Sequence, residues 1–160
     1  MASFAVYQTK FGMYRIEYDN GVVTGLKRSD DSAVGGARNE LTKNVYIQLS
    51  EYFDGRRTSF DFPYELRGTA FQKKVWAELC KIPYGHTKSY KEIAAAIGNP
   101  AACRAVGMAN NKNPIAIAVP CHRVIGSDGS LTGYASGINI KKALLALEKG
   151  QMHGVRDEKA

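Results

Sequence analysis

No stretch of this chain offers the run of about eighteen apolar residues that a membrane helix needs, and no basic leader followed by an apolar segment opens it. A membrane partner is therefore not expected, and the chain reads as a cytoplasmic protein. Cysteine is scarce: Cys80, Cys103 and Cys121 are an odd number at wide spacing, which fits neither a disulfide framework nor a CxxC-type zinc site. Three reduced thiols are expected. Internal repeats and low-complexity tracts are absent too, which excludes solenoids and disordered chains. What remains is 160 residues, 44% of them hydrophobic, enough to bury a core as one domain or as two small ones.

Acidic residues are short in one part only. Up to Leu66 there are eight Lys and Arg against nine Asp and Glu, whereas from Arg67 onward there are fourteen against six, a surplus of eight positive charges. Such asymmetry points to a polyanion as partner of the C-terminal part.

From Phe4 to Leu26 short alternating segments suggest antiparallel strands, with Asn20-Gly21 as a hairpin turn before Val22-Val23-Thr24. Residues 30–38, with Gly35-Gly36 inside, read as a loop. Leu41, Val45, Leu49 and Phe53 then recur on one helical face, and Phe60 and Phe62 alternate like one more strand. The composition changes near residue 66. Tyr7, Tyr14, Tyr18, Tyr46 and Tyr52 have spacings suited to packing, so residues 1–66 read as scaffold.

After the boundary Thr69 can cap a helix whose buried face carries Phe71, Val75, Trp76, Leu79 and Ile82, with Cys80 beside it in the core. Ser89-Tyr90-Lys91-Glu92 has the capping-box spacing for a second helix, which Gly98 ends. Asn99-Pro100 is expected to cap a third helix running to about Asn110. Two short helices so tightly joined suggest helix-turn-helix, and a hairpin between Val124-Ile125 and Ser130-Leu131, turning at Ser127-Asp128-Gly129, would be its wing. The third helix is made almost wholly of small residues around Arg104, which suits binding of DNA without base reading. Ile140, Leu144 and Leu147 mark a last amphipathic helix, with Glu148 in its final turn against the helix dipole, so Glu148 calls for a specific partner. Residues 151–160 read as a mobile polar tail.

The densest chemistry lies in Val119-Pro120-Cys121-His122-Arg123-Val124. A cysteine attacks as thiolate, and a neighbouring imidazole or guanidinium is the usual means of lowering its pKa.

With these residues in view the chain resembles the O6-alkylguanine-DNA alkyltransferases. The likeness runs from Phe71 to Glu148 through Ile82-Pro83-Tyr84-Gly85, Ile97-Gly98-Asn99-Pro100, Arg104-Ala105-Val106-Gly107, Asn113-Pro114, Pro120-Cys121-His122-Arg123-Val124 and Gly133-Tyr134. The resemblance implies an α+β fold: a ribonuclease H-like N-terminal sheet with a helix, then a winged helix-turn-helix domain over residues 67–150. It implies a single-turnover repair protein that flips alkylated guanine from duplex DNA and moves the alkyl group to Cys121, with O4-alkylthymine a further substrate. His122 would act on Cys121 through a water, Glu148 would hold His122, Asn113 would brace the turn and Tyr90 would donate to the leaving guanine. Arg104, Ala102, Gly107, Ser89 and Arg123 would contact DNA, with Arg104 replacing the flipped nucleotide. The carbonyls of Cys121 and Val124, with Tyr134 and the Ala135 backbone, would line the base pocket. No cofactor is implied. Some relatives carry zinc in the N-terminal part, but no Cys or His precedes residue 71 here, so no metal is expected.

Ala135-Ser136 and Asn110-Asn111-Lys112 depart from the more glycine-containing family pattern and bear on pocket width and substrate range. A monomer is expected. The competing readings are an alkyltransferase-like lesion-binding protein, which would lack the acceptor cysteine, a winged-helix regulator, which would carry several base-reading side chains, and a cysteine hydrolase.

Overall fold

The computed structural model describes residues 2–30, 35–131 and 133–150. The expected tail at 151–160 lies outside them. The fold is mixed α/β with an antiparallel sheet and five α-helices among the described residues, and the chain divides into two compact units, Met1–Arg67 and Gly68–Ala160.

In the first unit β1 (Ser3–Thr9), β2 (Gly12–Asp19), β3 (Val22–Arg28) and β4 (Gly35–Gly36) form one sheet in the order β3-β2-β1-β4. The β2–β3 turn is the expected Asn20-Gly21, with φ of 51° and 78°, the left-handed pair that a two-residue hairpin loop demands. Gly35-Gly36, expected in a loop, instead pairs with Val6 and Ala5 on the sheet edge. A Cβ on Gly36 would come within 2.6 Å of the Phe4 carbonyl, so only glycine allows the strand this close. Helix α1 (Glu40–Phe53) starts at a capping box between Asn39 and Thr42 and covers the sheet. Tyr46 stacks on Tyr7, Phe53 stacks on Phe11, and the Tyr7 and Thr42 hydroxyls bond at 2.9 Å.

Phe60 and Phe62 do not form the expected strand. The buried Gln48 side chain bonds Asp61 through both its amide atoms, Oε1 accepting the Asp61 N–H, and this holds the segment as coil. Only Tyr64 bridges to the sheet, beside Val23.

In the second unit α2 (Ala70–Leu79) is capped by Thr69 through a capping box with Gln72 and buries Val75, Trp76 and Leu79. Its lysines, Lys73 and Lys74, face out. Cys80 is the C-cap of this helix and is exposed, not part of the core, because the last turn leaves the packed face. Ser89 caps α3 (Tyr90–Ala96) through the predicted box with Glu92, and Gly98, at φ of 80°, follows its end.

The next helix, α4 (Cys103–Asn111), starts later than expected. Ala102, not Asn99, is its N-cap, and residues 99–102 are a turn closed by the Ala102 N–H on the Asn99 carbonyl. Trp76 Nε1 donates to the Ala109 carbonyl at 2.8 Å and ties α2 to α4. After a 3-10 turn at Cys121–Arg123, β6 (Val124–Ile125) pairs in parallel with β5 (Lys88–Ser89). The expected antiparallel hairpin is thus absent among the described residues: Ser130 reaches back only through its carbonyl, to the Gly126 N–H.

Helix α5 (Ile138–Glu148) buries Lys141, Leu144, Leu147 and Glu148. Ile140 is only half-buried, so the inner face runs one residue off the predicted stripe. No helix among the described residues is long and apolar enough to cross a membrane, and no cluster of metal-ligating side chains occurs among them.

Candidate active site

Pro120 sets φ at −82° and directs the chain into a single 3-10 turn, in which the Arg123 N–H closes on the Pro120 carbonyl and Val124 N–H on that of Cys121. Three successive side chains are thereby fanned inward: Cys121, His122 and Arg123 are all buried. Burial of a guanidinium demands a partner, and Glu148 supplies it. Arg123 Nε and Nη2 donate to the two oxygens of Glu148 at 2.8 and 2.9 Å, a bidentate fork, while Nη1 donates to the Ile82 carbonyl at 2.7 Å. His122 Nε2 lies 2.7 Å from Glu148 Oε2, and the Gly85 N–H donates to Oε1 at 3.1 Å.

Glu148 thus accepts four hydrogen bonds while buried, which is the partner its place in the last helical turn called for. An ionised carboxylate only accepts, so the His122 proton sits on Nε2 and Nδ1 is left as the basic nitrogen. Burial pushes the His122 pKa down, more than Glu148 raises it, so the ring is neutral at rest. The expected DNA contact through Arg123 is corrected by this geometry. Buried, with three of its five N–H groups bonded to Glu148 and Ile82, it braces the site from inside.

Cys121 is 6% exposed. Burial pushes its thiol pKa up, opposed by Asn113, the Lys141 charge, its own backbone and Tyr134 in that order. The neighbours in sequence are therefore not what favours the thiolate: Arg123 has its charge neutralised by Glu148, and His122 carries none. Asn113 and, after it, the charge of Lys141 do this instead, and Lys141 was not singled out from the sequence. Fully buried on α5, it has its own pKa lowered by desolvation and partly restored by Cys121, and its Nζ lies 5.7 Å from the centre of the Tyr90 ring. The available signal was spacing: Lys141 precedes Leu144 by three residues and Glu148 by seven, two turns along one face.

Replacing Lys141 with the similarly shaped Met removes the cation and keeps the packing. The alkaline rise of Cys121 alkylation by iodoacetamide, followed on the isolated peptide, should move to higher pH, and the rate near neutrality should fall by about tenfold for each unit of thiol pKa gained. An unchanged pH profile would leave Lys141 a packing role alone.

Asn113 bridges the loop before the turn, its Nδ2 donating to the Val119 carbonyl at 2.7 Å and its Oδ1 accepting the Ile115 N–H at 3.0 Å. Within that loop Ile117 has φ of 74°, a conformation that costs a β-branched residue roughly 1–3 kcal/mol and is sustained by full burial. The Cys121 carbonyl already holds two donors, Val124 N–H and Asn110 Nδ2 at 3.3 Å. Asn110, on α4, was marked in the sequence as a departure from the family pattern but not as a site residue. Its buried Oδ1 has no hydrogen-bond partner among the described residues.

Tyr134 is buried and Ala135 exposed beyond it, while Val124 is fully buried in β6. Tyr90 also walls an open cavity of about 380 Å³, together with Cys103, Arg104, Gly107, Met108, Asn111 and Gly133. Arg104 and Ala102 sit on the outer side of α4 and at its start, Arg104 exposed. A Cβ on Gly107 would meet only the Tyr90 ring, at 3.9 Å, an ordinary contact, so nothing inside the protein demands glycine there. The Ser89 hydroxyl accepts the Glu92 N–H at 3.0 Å and serves first as a helix cap.

A thiol with a neutral histidine, a buried cation and a phenol close by is equipped for nucleophilic displacement. The comparisons with known proteins agree with that chemistry. Residues 70–150 match the model of the 6-O-methylguanine DNA methyltransferase DNA-binding domain. The chain is 63% identical over 128 residues to the methylated-DNA-protein-cysteine methyltransferase of Methanosarcina barkeri, covering 80% of this chain and 81% of that one. With the protein of that name from Mycolicibacterium paratuberculosis it shares 46% identity over 155 residues, 93% of each. The crystal structure of the Mycobacterium tuberculosis O6-methylguanine methyltransferase superposes with a TM-score of 0.83 at 44% identity, over 94% of both chains. The M. tuberculosis protein solved in complex with DNA gives 0.82 at 44% identity, over 92% of this chain and 93% of that one.

Proposed function

The chain belongs to the methylated-DNA-protein-cysteine methyltransferase family, DNA-binding proteins of direct-reversal repair, and we propose that within this activity Cys121 is the acceptor of the alkyl group from O6-alkylguanine. The observation that carries the assignment is the buried Cys121 set beside a neutral His122 whose far nitrogen is held by Glu148.

In this reading the thiol proton passes through a water to His122 Nδ1, which burial keeps neutral and able to accept it. Glu148, already balanced by Arg123, stabilises the imidazolium that forms. Lys141 and Asn113 offset the cost of a buried thiolate. Sulfur then attacks the sp3 carbon, the S–C bond forms as the bond from carbon to O6 breaks, and the electron pair left on guanine is met by the Tyr90 hydroxyl. The proton finally returns to guanine. The product thioether has no easy hydrolytic exit, so each molecule acts once.

Residues 1–66 act as scaffold, ribonuclease H-like in layout, and 67–150 as the DNA-binding and acceptor domain. Here α3 and α4 form the helix-turn-helix and the loop after β6 serves as wing. The positive surplus after Arg67 supports duplex binding through phosphates, with Ser89 beside the groove and the small Ala102 and Gly107 admitting the backbone. Because the Cys121 carbonyl already carries two donors, guanine's amino group displaces Asn110 Nδ2 when it docks there with Tyr134, Ala135 and the Val124 carbonyl.

Extrusion of the base leaves a gap for Arg104 to fill. Arg104→Ala should slow repair of methylated duplex by at least about tenfold, since unstacking and unpairing cost a few kcal/mol, while reaction with free O6-benzylguanine changes much less. Equal losses on the two substrates would remove Arg104 from the flipping step. The test of the whole reading is the mass of the Cys121 peptide after incubation with methylated duplex: an unmodified thiol after repair is complete would refute it.

A further inference from the structure

Met108 is the most exposed large apolar side chain among the described residues, 68% accessible, and it stands on the helix that carries Arg104. Arg104, Met108 and Asn111 are spaced by four and three residues, so they share one face of α4, and all three are exposed. Met108 forms a ridge between two hollows. On one side is the cavity of about 380 Å³ beside Tyr90, Arg104 and Gly107; on the other is one of about 240 Å³ floored by Phe71, Ala105 and Ala109. The residues just before it, Ala105 and Gly107, are small, so nothing on α4 shields the thioether from water.

A long unbranched apolar side chain held out in water on an otherwise small-residue helix forfeits its burial unless a partner covers it. Minor-groove proteins use such side chains against sugars and base edges, where hydrocarbon meets hydrocarbon and a kinked step is held open. Resting on the reading of α4 as the DNA-facing helix, we propose that Met108 enters the minor groove beside the step that Arg104 opens. The two flanking hollows receive the sugar-phosphate walls of the groove. Met108 thereby contributes an apolar, charge-independent part of duplex binding and holds the extruded state.

The experiment compares wild type, Met108→Ala and Met108→Leu on three readouts: affinity for methylated duplex over a range of salt, rate of methyl transfer from that duplex, and rate with free O6-benzylguanine. Met108→Ala should weaken duplex affinity by about three- to tenfold at every salt concentration, with the slope of log affinity against log salt unchanged because no phosphate contact is lost. Duplex repair should fall in step, the free-base reaction should fall far less, and Met108→Leu should recover most of the loss. Unchanged affinity, a changed salt slope, or equal losses on both substrates would overturn the proposal. Altered self-association with unaltered DNA binding would assign the ridge to a second copy of the chain and overturn it as well. Wild type failing to transfer at all would instead remove the functional reading on which it rests.

Discussion

Given an excess of duplex carrying O6-methylguanine, the protein should stop at one lesion per molecule, with one added methyl group on the peptide that contains Cys121. The three thiols differ enough for the outcome to discriminate. Cys80 is exposed at the end of α2 and is the most accessible to small reagents, Cys103 is half-buried at the start of α4, and Cys121 is buried. Accessibility alone would therefore label Cys80 first. The methyl group should nevertheless go to Cys121, because only that sulfur has Asn113, Lys141 and Tyr134 around it to support the thiolate and His122 beside it to take the proton. Cys121→Ser should abolish transfer, because an alcohol is a far harder and less acidic nucleophile, yet leave DNA binding nearly intact. Repeated turnover, or label chiefly on Cys80 or Cys103, would defeat the assignment.

Glu148→Ala should be the most destabilising single substitution at the site. It removes the acceptor of four hydrogen bonds and leaves the Arg123 guanidinium buried without a counter-charge. Breaking one partner from a buried pair costs about 3–5 kcal/mol, which for a chain of this length lowers the melting temperature by roughly 6–20 °C. Glu148→Gln keeps the shape but offers an amide donor where Arg123 also donates, so it should recover only part of the loss. The sequence suggested that Glu148 acts chiefly on the Cys121 thiol through His122. With Arg123 bound to both its oxygens, the carboxylate holds the 3-10 turn first and tunes the imidazole second. Transfer by either variant should be slower when measured well below its melting point. Melting temperatures equal to wild type would show that Arg123 finds another partner, and the bidentate pair would then carry no stability.

Local features were legible before any coordinates. The Asn20-Gly21 turn, the cap of α2 at Thr69, the capping box of α3 and the glycine after it depend on a few adjacent residues, whose hydrogen bonds close within four positions. Partners far apart in the chain were not. Phe60 and Phe62 alternate as a strand would, but Gln48 takes the Asp61 backbone that a neighbouring strand would have needed. Val124-Ile125 looked like half of a hairpin, yet its partner is Lys88-Ser89, reached in parallel from the other side of α3 and α4.

By itself the sequence determined the family and the charge of the C-terminal part and pointed to Cys121 as the candidate acceptor, because Pro-Cys-His-Arg and the charge surplus are properties of residue order and composition. Only the tertiary structure decided how deeply each of those groups is buried and which partner it has. Arg123, expected at the DNA, and Lys141, not singled out from the sequence, are both buried: the first is paired with Glu148, and the charge of the second favours the Cys121 thiolate. Cys80 went the other way, out of the core that its helix seemed to offer. The reason is physical. A residue's type sets what its charge or thiol could do, but burial sets the dielectric around it and long-range packing sets its partner, and neither is written in its neighbours along the chain.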